Sequence, residues 1–134
     1  MNLLTKIATI MTTDLATVTI HTPVTVAIDL LVRHGVHHLP VLTPEGRLAG
    51  ILSQSDFLKL SFPGSGLNTV SDIMTAHVAK LEPSDTVRTA ANLFTLNKFH
   101  ALPVLEEDKL VGIVTTLDLI RLIDQEPIRL EDYV

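Results

Sequence analysis

Several residue types that commonly carry structure or chemistry are missing or scarce in this chain of 134 residues. It has no cysteine, which excludes disulfide bonds and thiolate metal sites. It has no tryptophan and one tyrosine, and 15 acidic residues outnumber 10 lysines and arginines, so the net charge is −5. Nucleic-acid binding needs a basic surface and often stacking aromatics. The composition therefore argues against a nucleic-acid partner.

Long apolar runs are also missing. No stretch approaches the roughly 18 consecutive apolar residues that indicate a membrane span, and the N-terminus lacks the apolar run of a signal peptide. With 46% hydrophobic and 19% charged residues, the composition is that of a folded globular domain. We expect a cytoplasmic protein with no membrane partner.

What the chain does have is an internal repeat. Residues 7–42 align with residues 70–105 after a shift of 63 positions, and residues 48–60 align with 110–122 after a shift of 62. Such a duplication indicates two copies of one supersecondary unit that pack together. We predict a first copy at 7–60, a linker at 61–69, a second copy at 70–123 and a tail at 124–134. Function should lie where the copies meet.

Each copy is predicted to be a β-α-β-β-α unit of the α/β (α+β) class, and the two copies to pack as one pseudo-twofold module with a single core. In the first copy the pattern predicts a short helix at 3–11, strands at 17–20, 38–42 and 48–52, and a closing helix at 53–60. Thr22-Pro23 is typical of a helix start, and Gly35 of a helix end. The buried face of this helix is expected to contain Val24, Ala27, Ile28 and Leu31.

The second copy is predicted to follow the same plan. Strands are expected at 79–81, 101–105 and 110–115, with a turn at Glu107-Asp108 and a closing helix at 116–123. Ser84 or Asp85 should cap the intervening helix. Its buried face should contain Val87, Ala90, Ala91 and Phe94.

The order of the repeated motifs resembles the CBS domain, named for cystathionine β-synthase. Both copies carry Ile-Met-Thr (10–12 and 73–75), then Leu-Pro-Val (39–41 and 102–104), then a strand that ends in Ser53-x-x-Asp56 or Thr115-x-x-Asp118. The resemblance implies a disc-like regulatory module, and the chain length leads us to expect a stand-alone one. We expect no required cofactor. The resemblance further implies that AMP, ADP, ATP or S-adenosylmethionine binds in clefts between the copies.

The two hydroxyl-x-x-Asp motifs admit two interpretations. Ser53 or Thr115 can be a helix N-cap, with Asp56 or Asp118 at the third helical position. Alternatively, the start of the helix attracts phosphate and the carboxylate accepts hydrogen bonds from a ribose diol. The resemblance assigns the hydroxyl to phosphate and the aspartate to ribose. We take all four residues as ligand-binding candidates.

Histidines occupy the approach to Leu-Pro-Val in both copies. The resemblance implies a basic residue, commonly arginine, directly before the leucine, where this chain has His38 and Ala101. Histidine is largely neutral at pH 7 and lacks the arginine fork, so we expect weak binding of triphosphates and clefts of unequal affinity. His37, His38 and His100 are the candidates. Local packing at a strand edge is the alternative for His37 and His100.

Metal binding and catalysis find less support. His34, His37 and His38 have a spacing that one helix face could use for a metal, but Gly35 interrupts the helix and no cysteine or clear carboxylate ligand accompanies them. No nucleophile elbow, phosphate-binding loop or dinucleotide fingerprint is present. We expect neither a metal site nor an enzyme.

Apolar residues crowd the two closing helices, where they should face another surface. They are Leu58, Leu60, Leu119, Ile120 and Leu122. We expect a homodimer formed through these helices and an unidentified regulated partner protein. The alternative function is a ligand-free module for dimerisation or protein interaction.

Overall fold

Two antiparallel hairpins and the helices around them form the described part of the chain, residues 2–60, 69–96, 99–125 and 131, in a computed structural model. The first copy contains α1 (Ile7–Ile10), β1 (Val18–Thr19), α2 (Val24–His34), β2 (His38–Leu42), β3 (Leu48–Ser53) and a 3₁₀ helix (Gln54–Leu60). The second contains α3 (Val70–Ile73), α4 (Val87–Leu96), β4 (Ala101–Glu106), β5 (Lys109–Thr115) and α5 (Thr116–Asp124). This mixture of helices and hairpins confirms the predicted fold class. The predicted linker, apart from Thr69, and most of the predicted tail lie outside the described residues.

The sheet of the first copy has the order β1-β2-β3, with β1 parallel and β3 antiparallel to β2. In the second copy β4 pairs with β5, but the strand predicted at 79–81 is reduced to a single parallel bridge between Leu81 and Val104. The backbone there still makes both bonds of that bridge, from Leu81 N–H to Pro103 O and from Leu105 N–H to Leu81 O. The prediction of a strand was wrong in extent, because only one residue pairs.

Helix α2 ends as predicted, but both α2 and α4 begin differently from the prediction. Gly35 stops α2 in the left-handed conformation, at φ 60°, as expected. Pro23, not Thr22, is the N-cap of α2, because the Thr22 hydroxyl accepts a hydrogen bond from Thr19 N–H in the preceding turn. Asp85 likewise accepts from Glu82 N–H, and α4 begins only at Val87.

Other local predictions need smaller corrections. The first helix is four residues long, and the closing element of the first copy is a 3₁₀ helix. Ile28 and Ala91 are exposed, so the buried faces of α2 and α4 are narrower than predicted. The turn at Glu107-Asp108 is confirmed, and both residues have positive φ, as a two-residue hairpin turn requires.

The copies exchange their N-terminal helices. Ile7 of α1 is buried among the core residues of the second copy, including Leu102 and Val114. Val70 and Ile73 of α3 are buried in the core of the first copy. A third cluster, formed by Ile51, Val78, Ala101 and Ile113, lies between the two. The predicted single core is therefore wrong: the fold has two cores and an apolar seam, and each core needs a helix from the other copy.

Backbone hydrogen bonds fasten each exchanged segment to a hairpin. Ile51 and Thr75 bond reciprocally through N–H and O at 2.9 Å in both directions. Thr12 and Ile113 do the same at 2.9 and 3.0 Å. Each hairpin thus gains a pairing partner that follows the Ile-Met motif of the opposite copy.

The glycines next to these bridges permit the close approach. A Cβ atom added to Gly50 would lie 2.5 Å from the Thr75 carbonyl oxygen, which is backbone. At Gly112 the nearest atom would be Met11 Sδ at 2.7 Å, in a flexible side chain. A side chain is therefore excluded more strictly at Gly50.

We predict that Gly50→Ala lowers the free energy of unfolding by about 1–3 kcal/mol, because the added methyl pushes against fixed backbone. Gly112→Ala should cost less, because Met11 can change rotamer. Urea denaturation of both variants measures the difference. Equal losses, or a neutral Gly50→Ala, would contradict this account of the bridge.

Candidate functional site

Two clefts open between the copies, on the side where the hairpins meet the exchanged segments. The first, which we call the Asp56 cleft, has a volume of about 600 Å³. Ser53 and Asp56 from the first copy and Thr75, Val78 and Phe99 from the second line it. It is formed by both copies, as predicted for the site.

The second cleft, the Asp118 cleft, is related to the first by the repeat. Its volume is about 280 Å³. Thr115, Asp118 and Arg121 come from the second copy, and Thr12 and Val36 come from the first. The two hydroxyl-x-x-Asp motifs therefore lie in separate clefts, at equivalent places.

Histidines connect the two clefts. His37, His38 and His100 each contribute to the lining of both. All seven residues that the sequence singled out thus line one cleft or both, and their role in binding stays a prediction. His37 Nδ1 also lies 3.0 Å from Gln54 Oε1, so local hydrogen bonding occurs at this strand edge as well.

Asp56 is almost fully buried, with 5% of its surface exposed, and its carboxylate has four hydrogen-bond donors. Oδ2 accepts from Ser53 N–H at 2.8 Å and from the Ser53 hydroxyl at 3.1 Å. Oδ1 accepts from Lys59 Nζ at 3.1 Å and from the Thr75 hydroxyl at 3.2 Å. Such a complete set of partners offsets the cost of burying the charge.

Asp118 has a different environment. Its Oδ2 accepts from Thr115 N–H at 2.8 Å and from the Thr115 hydroxyl at 3.2 Å. Its Oδ1 has Arg121 as its charged neighbour, 3.9 Å away, which is too long for a hydrogen bond. Among the described residues, no group donates a hydrogen bond to Asp118 Oδ1.

The capping interpretation also holds in the second copy. Thr115 and Asp118 form a capping box at the start of α5, since the Thr115 hydroxyl accepts from Asp118 N–H while Asp118 accepts from Thr115 N–H. In the first copy Asp56 makes the reciprocal contact with Ser53 N–H at the start of a 3₁₀ helix. Capping uses Oδ2 of the aspartate in both copies, so Oδ1 is not needed for the cap.

His38 is half-buried between the clefts. Burial lowers its pKa below the ordinary value of 6.5, and the neighbouring His100 and His37 lower it further, while Asp56 partly opposes them. His38 is therefore a neutral hydrogen-bonding group at pH 7. The position before Leu39, where the family commonly has arginine, therefore carries no positive charge at pH 7.

The sequence interpretation missed several polar residues of the site, of which Thr12, Thr75 and Arg121 are the most informative. Thr12 and Thr75 belong to the repeated Ile-Met-Thr motif, which served only to identify the repeat, and Arg121 follows Asp118 by one helical turn. The signal for Arg121 was available, because residues three apart on a helix share a face. The threonines could not be assigned, because their contact with the opposite copy depends on the exchange of helices.

Nowhere in the described residues do three histidine, aspartate or glutamate side chains come together as a metal site would need. Within the same residues, every helix is too short or too polar to cross a bilayer.

A family model for the CBS domain matches the chain twice, at residues 7–62 and 70–125. Among curated relatives, homoserine O-acetyltransferase of Methanosphaerula palustris is 27% identical over 124 residues. That match covers 92% of this chain and 25% of the relative. The chain thus spans about a quarter of the enzyme's length, and the similarity concerns only that part.

Two solved structures have the same fold over nearly the whole chain. CBSX2 in complex with AMP is 31% identical with a TM-score of 0.81, covering 90% of this chain and 97% of that one. The CBS domain pair of protein MJ0100, in complex with 5′-methylthioadenosine and S-adenosyl-L-methionine, is 26% identical with a TM-score of 0.84, covering 92% and 99%. The predicted tandem architecture is confirmed.

The lowered pKa of His38 predicts acid sensitivity. The unfolded chain takes up the proton near pH 6.5, whereas the folded chain takes it up only at lower pH, so this histidine removes stability as pH falls below about 6.5. His38→Gln should lose less free energy of unfolding than wild type between pH 7 and pH 5, measured with urea. His34→Gln, at the exposed end of α2, serves as the control. An unchanged pH dependence in His38→Gln would contradict the prediction.

Proposed function

This chain belongs to the CBS domain family, and we propose that it is a non-catalytic regulatory module that binds an adenosine-containing ligand between its two copies. The observation that carries the proposal is the pair of clefts, each with a hydroxyl-x-x-Asp motif and a threonine from the opposite copy. Related structures with AMP and with S-adenosylmethionine support the class of ligand. The ligand would signal to a partner protein by stabilising one arrangement of the copies.

The chemistry of binding follows from the groups in each cleft. The carboxylate of a motif aspartate would accept hydrogen bonds from the two hydroxyls of a ribose. The hydroxyl of Ser53 or Thr115 and the N–H groups that start the following helix would face an anionic or polar 5′ substituent. Apolar side chains offer a surface for the adenine ring in each cleft: Val78 and Phe99 in the Asp56 cleft, and Val36 and Ile113 in the Asp118 cleft.

The charge of the clefts favours ligands with few negative charges. Arg121 is the one lysine or arginine among the described residues that line them. His38 is held neutral, so it adds a hydrogen bond rather than a charge. We therefore propose AMP or S-adenosylmethionine as the physiological type of ligand before ADP or ATP, whose extra phosphates would lack counter-charges.

A second candidate function, dimerisation or protein interaction, rests on α5. Leu117, Ile120 and Ile123 follow one another at helical spacing and are all exposed, Ile120 to 58%. Of the apolar residues named from sequence, Leu119, Leu60 and Leu122 are half-buried and contribute less to an outer face. We propose that two molecules associate through α5, beside the Asp118 cleft, which Leu117 also lines.

A thermal-shift experiment tests the ligand proposal. AMP or S-adenosylmethionine at 100 times its dissociation constant should stabilise the folded protein by about 2.7 kcal/mol and so raise its melting temperature. Guanosine monophosphate is the control for the base. A melting temperature unchanged by all adenosine compounds would leave the ligand-free alternative as the function.

The dimer proposal is tested by introducing one charged side chain into the proposed α5 interface. Ile120→Asp should convert a dimer to a monomer, because a carboxylate in an apolar interface is desolvated without a partner. Sedimentation equilibrium at micromolar concentration measures the mass. Val32→Asp, on the exposed face of α2, is the matched control and should remain dimeric. A monomeric wild type would refute the proposal outright.

A further inference from the structure

The two motif aspartates are equivalent in sequence but unequal in what they can still bind. Lys59 and Arg121 occupy equivalent positions in the repeat, three residues after Asp56 and Asp118. Lys59 Nζ donates to Asp56 Oδ1 at 3.1 Å and to the carbonyl oxygen of Ile73 at 2.8 Å. This lysine therefore ties the carboxylate to the end of helix α3, which belongs to the other copy.

Thr75 completes the arrangement around Asp56. Its hydroxyl donates to the same Oδ1 at 3.2 Å, so both carboxylate oxygens are engaged by donors of the protein itself. A ribose diol could reach this carboxylate only by displacing Lys59 and Thr75. Displacement would also leave the Ile73 carbonyl without its lysine donor, which adds to the cost.

Among the described residues, Asp118 Oδ1 has no equivalent of the Lys59 and Thr75 donors that engage Asp56 Oδ1. The guanidinium of Arg121 is 3.9 Å from Oδ1, and 69% of the Arg121 side chain is exposed, so this cation is not engaged by the carboxylate as Lys59 is. Thr12, the equivalent of Thr75, makes no hydrogen bond to Asp118 among the described residues, although it lines the same cleft. The Oδ1 atom is thus available to two hydroxyl donors.

We infer that Lys59 withholds the Asp56 carboxylate from ligands, so that a ribose-bearing ligand binds once per chain, at Asp118. This inference rests on the proposed function and names which of the two clefts performs it. Lys59 is then the residue that determines specificity between the clefts, and Arg121 is the counter-charge for a 5′ phosphate. The larger Asp56 cleft remains a cleft without a ribose acceptor.

The smaller volume of the Asp118 cleft does not oppose this assignment. Its 280 Å³ is near the lower end of ligand pockets, which begin at about 300 Å³. The exposed Arg121 side chain forms part of its wall, so the wall can move with a rotamer change. Hydrogen-bond capacity rather than volume distinguishes the two clefts.

Calorimetric titration with AMP and with S-adenosylmethionine, both of which carry the ribose diol, tests the inference. Wild type should bind one ligand per chain. Asp118→Asn should weaken that binding by at least about tenfold, because a charged acceptor is lost, whereas Asp56→Asn should leave the affinity unchanged. The 2′-deoxy analogue of AMP should bind wild type more weakly, and its loss should not add to that of Asp118→Asn, because both remove the same contact.

Lys59→Met tests whether a second ligand site can be gained. It frees Asp56 Oδ1 from its cation and leaves the Thr75 hydroxyl, a neutral donor, as the group that a ribose would displace, so a second site per chain should appear in the titration. Arg121→Met, the matched change in the other copy, should weaken AMP binding and add no site. If Lys59→Met does not fold, the contrast between Asp118→Asn and Asp56→Asn decides alone.

The outcomes separate the two levels of the argument. Two equal sites in wild type, or loss of the single site in Asp56→Asn, would overturn the assignment to Asp118 while the proposed function stands. No binding of AMP or S-adenosylmethionine to wild type would overturn the proposed function itself and this inference with it. One site that Asp118→Asn weakens and Asp56→Asn spares supports both.

Discussion

The reciprocal backbone pairing of Ile51 with Thr75, and of Thr12 with Ile113, is the constraint on which the remaining architecture depends. It brings the Ile-Met-Thr segment of each copy against the hairpin of the other. The close approach explains the glycine before each isoleucine, since a side chain there would meet the crossing segment. It also positions a threonine in each cleft, next to the motif aspartate. The clefts are therefore a product of the exchange, and neither copy could form one alone.

Within this symmetric frame a few side chains make the halves chemically different. Lysine after Asp56 reaches a backbone carbonyl as well as the carboxylate, whereas arginine after Asp118 stays near the surface. His38 precedes one Leu-Pro-Val and Ala101 precedes the other. Burial between the clefts lowers the pKa of His38 and keeps this histidine neutral at pH 7. A duplication thus provides two similar cavities, and single substitutions give the two motif aspartates different neighbours. Local hydrogen bonding, more than overall shape, differentiates them.

The sequence predicted the parts of the fold that depend on local chemistry. Gly35 as a helix end, the two hairpins and the turn at Glu107-Asp108 all follow from residue preferences. The exchange of helices could not be predicted, because a repeated pattern is identical whether each helix packs on its own copy or on the other. The strand at 79–81 was overestimated, because pairing of one residue or three depends on the neighbouring backbone and not on propensity.

The same limit applies to the site. The repeated hydroxyl-x-x-Asp motifs identified both clefts, because each motif carries its own helix start. The engagement of Asp56 by Thr75 could not be inferred, because these residues belong to different copies and meet only in the folded chain. Capping and ligand binding are compatible interpretations of each motif. Capping occupies Oδ2 in both copies, so the surroundings of Oδ1 are where the two copies differ.

The exchanged helices also have a consequence for synthesis on the ribosome. Ile7 is synthesised about a hundred residues before Leu102 and Val114, which are among its buried neighbours. The first core contains no residue beyond Met74 and can close early. The apolar face of α1 therefore stays unburied until the residues of the second hairpin have been synthesised. Such a nascent segment is exposed to aggregation and to chaperones until the second hairpin arrives.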